Sequence, residues 1–170
     1  NINPADDTAA DYNNVIISGT VKLAGNIKTK GSFTVSQALD GNSKVLNIGT
    51  KLTTTATITD VTTLSVNGDA SIGTDITTSG SQKYQGKVTL TQDVTLKAMN
   101  NITFEDNATI TGASYNLTLD NDSTHQADYD LNKDVTVKSL TANIATGKKL
   151  SIPSPVVITA KDGFTVTGAG

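Results

Sequence analysis

The segment "DNDSTHQADYD", residues 120–130, holds the densest set of groups that could do chemistry. Asp120, Asp122, Asp128 and Asp130 surround His125, the only histidine of the chain. Clustered carboxylates could supply oxygen ligands to calcium, or an acid–base pair for cutting sugar chains. The spacing matches neither the EF-hand loop nor the glycine-rich nonapeptide of calcium-binding β-rolls. With one histidine and no cysteine, a Ser-His-Asp arrangement has only His125 to turn on, and zinc lacks ligands. Asp and Asn are also the residues that tight turns select. The segment therefore reads as a solvated loop, with calcium at Asp120, Asp122, Asp128 and Asp130 as the weaker alternative. No catalytic residue and no cofactor is assigned.

A second arrangement is "KLTTTATITD" at 51–60, where Thr53, Thr55, Thr57 and Thr59 alternate. A flat array of outward threonines can bind ice when the same pair recurs in register over several coils. The run is strong once and weak elsewhere, so it reads as an ordinary outward strand face, with ice binding as a minor alternative.

The elements that must hold these groups are strands. Threonine supplies 29 residues, all 13 basic residues are Lys, and Glu105 is the only Glu. Arg, Cys and Trp are absent and Met99 is the only Met, so good helix formers are scarce. Thr, Val and Ile suit strands, while Asn, Asp and Gly suit tight turns. A net charge of −3 with scattered lysines and 4% aromatic residues argues against nucleic acid as a partner. No apolar run is long enough for a transmembrane segment. The chain starts at Asn1 without a signal peptide, which reads as a processed protein or an excised piece.

From Val15 onward, apolar-x-apolar pairs recur between short turns rich in Gly, Asn, Asp and Thr. Among them are Val88/Leu90, Val94/Leu96, Ile102/Phe104, Leu117/Leu119 and Val135/Val137, which form the expected core. "DVT" recurs at Asp60, Asp93 and Asp134 with unequal offsets. Such spacing predicts a right-handed parallel β-helix with irregular coils of about 20–24 residues, roughly eight of them along a rod near 40 Å. Each strand then pairs with its equivalent one coil away, which lets very short strands build one continuous core. The structural alternative is a β-sandwich, whose strands are usually longer. Residues 1–14 are polar and read as an arm or cap, and 15–170 as one solenoid domain. Pro153 and Pro155 mark an outer loop or a blunted end.

The run from Asp75 to Asp122 resembles the repeat region of filamentous-haemagglutinin-like bacterial exoproteins. Gly80, Ser81, Gln82, Tyr84 and Gly86 match a Gly-Ser/Thr-Gln-x-Tyr-x-Gly turn, followed by Val88-Thr89-Leu90 and Val94-Thr95-Leu96. The resemblance is clearest over about residues 60–120. It implies secretion to the extracellular space or the bacterial cell surface, by a two-partner or autotransporter route. It also implies adhesion to a host or neighbouring-cell surface or polysaccharide, or matrix building.

The sequence reading is thus a non-catalytic extracellular rod with a structural or adhesive role. Its runner-up is a homo-oligomeric filament, joined end to end or by strand addition through the arm. A carbohydrate-active enzyme on the same fold is a third reading.

Overall fold

The computed structural model describes residues 10–168, and every regular element among them is a β-strand. Alternation sets the inward and outward sides: in Val88-Thr89-Leu90, the valine and leucine are buried and the threonine is half-buried. The chain opens with β1 (Ala10–Tyr12), β2 (Val15–Ile17), β3 (Val21–Lys22), β4 (Ile27–Thr29) and β5 (Ser32–Val35). Longer strands follow: β6 (Leu39–Ile48), β7 (Lys51–Thr54), β8 (Ile58–Val66), β9 (Asp69–Ile72) and β10 (Ile76–Tyr84). Next come β11 (Val88–Leu90), β12 (Val94–Ala98), β13 (Asn101–Phe104), β14 (Ile110–Leu119) and β15 (Asp128–Leu131). The last are β16 (Val135–Ile144), β17 (Leu150–Ser151), β18 (Ile158–Ala160) and β19 (Phe164–Gly168).

Every pairing among these strands is parallel and joins segments one coil apart, giving a three-faced β-solenoid of about seven turns. Face A stacks β2, β5, β7, β9, β11, the start of β14, the start of β16, and β18. Face B stacks β3, the first halves of β6, β8 and β10, then β12, the ends of β14 and β16, and β19. Face C stacks β1, β4, the second halves of β6, β8 and β10, then β13, β15 and β17. At a strand spacing of about 4.8 Å, seven steps make a ladder roughly 34 Å long.

The expected coil length needs correcting. Early partners such as Val15 and Phe33, or Ala70 and Val88, are 18 positions apart. Ile102 and Tyr129 are 27 apart, because the loop after Leu119 is inserted there. The ladder also begins inside the segment read as an arm, since β1 pairs with β4; residues 1–9 lie outside the described residues. The Gly80–Gly86 segment is not a turn up to Tyr84: β10 continues through it, bending between Thr78 and Ser81 from face B to face C.

The interior is one apolar column. Val88, Leu90, Val94, Leu96, Ile102, Phe104, Leu117, Leu119, Val135 and Val137 are all buried. Tyr84 stacks on Phe104 one coil away, ring centroids 5.1 Å apart. Gln82 is fully buried beside it and is satisfied: Tyr84 donates its hydroxyl to Oε1 at 2.9 Å, and Nε2 donates to the carbonyls of Lys97 at 2.7 Å and Ile76 at 3.1 Å. At the start of the ladder Val15, Ile17 and Leu23 are buried, whereas Val157, Phe164 and Val166 in the last coil are exposed. Pro153 and Pro155 sit in the exposed turn between β17 and β18.

Candidate binding face

Aspartates and asparagines at the corners do structural work that the sequence does not reveal. Asp93 takes the backbone N–H of Asn116 at 2.9 Å, and Asp134 that of Val157 at 2.9 Å. Asp69, Asp75 and Asp128 do the same for Lys87, Thr95 and Lys149. Each caps an amide one coil further on that the ladder would leave unpaired at the corner. This explains the Asp-Val-Thr units at Asp93 and Asp134: the first residue bonds the next coil, the second points inward, and the third outward.

The four acidic residues around His125 are divided by this geometry. Asp128 is a corner acceptor, and Asp130 lies on face C, within 3.4 Å of the Thr103 hydroxyl that donates to it. Asp120 and Asp122 remain together, and the charge between them is Lys97, whose Nζ is 2.8 Å from Asp120 and 3.1 Å from Asp122. Among the described residues, no set of three or more His, Asp or Glu side chains is arranged to hold a metal.

The loop from Asp120 to Ala127 is not a loosely solvated excursion. Asp122 Oδ1 accepts the backbone N–H groups of Thr124 and His125, each at 2.8 Å, and the Thr124 hydroxyl at 2.8 Å. Asn121 bonds Ala127 through both ends of its amide. His125 is half-buried, its Nδ1 at 2.8 Å from the Thr124 hydroxyl and 3.2 Å from Asp122. The Thr124 amide and hydroxyl, then the His125 amide and Lys97, hold the Asp122 carboxyl well below its ordinary range. Asp120 and Asp122 in turn push the Lys97 ammonium up.

Beside this loop, face B carries an open depression of about 270 Å³ lined by Asp75, Thr77, Thr95, Lys97 and Asp120. It is the upper part of two outward columns. Thr95, Thr118, Thr141 and Thr165 stand in register on four successive coils. Next to them run Thr77, Lys97, Asp120, Asn143 and Thr167, with Asn143 donating to Asp120 at 2.6 Å. Within one strand, outward residues two apart are separated by about 6.7 Å, and coils by about 4.8 Å, so these side chains form a small flat lattice.

The threonines at 51–60 do not form one array. Thr53 points out from face A and Thr59 from face B, with Thr55 and Thr57 at the corner between. A longer column exists on face A, made of Thr34, Thr53, Ser71, Thr89, Thr111, Thr136 and Thr159. Its members are 18 to 25 positions apart, which hides it from a reading of local alternation.

In comparisons with family descriptions, curated proteins and solved structures, nothing matches this chain.

Proposed function

We infer that the chain is a non-catalytic, extracellular rod that holds a surface partner, a host or neighbouring cell or its polysaccharide, against its outer faces. The observation carrying this reading is the division of labour along the strands that precede the last coil. Inward positions are spent on one packed column, and outward positions form in-register rows of hydroxyl, amide and paired charged groups. Such rows offer repeated, weak, similar contacts, and summing them over coils gives adhesion without any single strong site. The ionisable cluster of Lys97 with Asp120, Asp122 and His125 is tied into fixing a loop. That supports a structural role over acid–base work. The resemblance of the run from Asp75 to Asp122 to filamentous-haemagglutinin-like repeats supports placement outside the cell and at a bacterial surface.

The test is retention of purified, labelled protein on intact cells and on immobilised polysaccharides, with released reducing sugar ends assayed in the same wells. Saturable retention without product is expected. Sugar release that disappears in Asp120→Asn or Asp122→Asn would establish an enzyme instead.

A further inference from the structure

We propose that the depression on face B, lined by Asp75, Thr77, Thr95, Lys97 and Asp120, is the site where the rod grips an extended, uncharged polysaccharide laid along the solenoid axis. The inference rests on the adhesive reading and names its partner class and face.

Three observations select the ligand. First, the lining residues are all polar or charged and the depression is open, so it suits a hydrated, hydroxyl-rich partner rather than an apolar one. Second, its charges disfavour a polyanion: Lys97 is already paired with Asp120 and Asp122, and Asp75 adds a further carboxylate that forms no ion pair among the described residues. An acidic polysaccharide, a nucleic acid or an anionic headgroup would meet repulsion there. Third, the polar groups are complementary to sugar hydroxyls. Asp75 spends Oδ1 on the Thr95 amide at 2.7 Å, and Oδ2 takes no hydrogen bond among the described residues. The Thr77 and Thr95 hydroxyls both donate and accept.

Below the depression the two columns repeat the same chemistry one coil at a time, through Thr118 with Asp120 and Thr141 with Asn143. A repeating surface matches a repeating ligand. Affinity should therefore grow with oligomer length more steeply than a single sugar site allows.

The experiment is a titration of the folded chain, followed by NMR or calorimetry, with neutral oligomers of glucose, mannose, galactose and xylose, and with oligogalacturonate as the acidic counterpart. Expected are saturable binding to at least one neutral series, rising with length and little changed by salt, and signal changes confined to face B. The pair Thr77→Val with Thr95→Val should weaken it about tenfold, since two neutral hydrogen bonds are lost. Thr53→Val with Thr89→Val on face A should leave it unchanged. All four side chains face outward, and an unchanged melting temperature confirms that the variants fold. Binding to no neutral series, tighter binding to oligogalacturonate, or equal loss from the face A pair would overturn the proposal. Retention on whole cells separates the two readings: if the face B pair is retained like the unaltered chain, the rod is adhesive but this groove is not its grip. If neither is retained, the adhesive reading fails as well.

Discussion

Gln82 and Tyr84 show how a single residue's role turns on which side of the strand it faces. Both read as part of a polar turn in the sequence, because Gln and Gly-flanked Tyr rarely signal a core. Their inward positions follow from the alternation that begins at Ile76, and the ladder gives Gln82 the two carbonyls it needs. Tyr84→Phe leaves Gln82 Oε1 buried without a donor, so a loss of about 1–3 kcal/mol is expected in chemical denaturation. Burial also pushes the Tyr84 phenol up from 10.0. A raised pKa means stability is full below the unfolded value and declines as pH rises above it; the Phe variant should lack that part of the alkaline decline. Asp122 works in the opposite sense. Its folded pKa is depressed from 3.8, so its contribution is present above that value and lost as pH falls below it. Protection of the Thr124 and His125 amides relative to their intrinsic exchange rates should persist at pH 5 and fall only in stronger acid. Absence of protection at pH 5 would contradict the hydrogen-bond set around Asp122.

At the scale of elements, the faces were legible and the register was not. Period-two alternation is local, so Val88/Leu90 and Val94/Leu96 disclose their inward sides within a few residues. Pairing partners lie 17 to 27 positions apart, and turn insertions change that distance from coil to coil. Nothing within a strand records the number, which is why the threonine column of face A and the corner aspartates stayed hidden. Close stacking also fixes glycines. A Cβ on Gly80 would collide with the Thr62 carbonyl of the coil before it, while one on Gly19 meets nothing within 4 Å. Gly80→Ala should therefore lower the denaturation midpoint strongly, and Gly19→Ala should shift it by less than about 0.5 kcal/mol. Core position matters in the same way. Leu96→Ala removes a fully buried side chain and should cost about 2–5 kcal/mol. Val166 is 52% exposed in the last coil, and Val166→Ala should cost about 0.5 kcal/mol or less.

The whole molecule is a stack in which each coil touches only its neighbours, so stiffness and a regular outer lattice come from one repeated rule. That rule was readable in the threonine-rich composition and the short apolar pairs. The candidate site was only half readable: the acidic segment was legible as a loop, with calcium as its weaker alternative, but the pairing of Asp120 and Asp122 with Lys97 was not. The grooved part of face B could not be seen at all, because Asp75, Thr95 and Asp120 come from three different coils. The proposed function requires this lattice to hold a surface without altering it. Its most direct measurement is retention of the labelled chain on intact cells and neutral polysaccharide films, with soluble sugar followed in parallel. Expected is saturable, length-dependent retention, weakened by Thr77→Val with Thr95→Val and accompanied by no released sugar. Absence of retention on every surface, or release of sugar from the film, would contradict it.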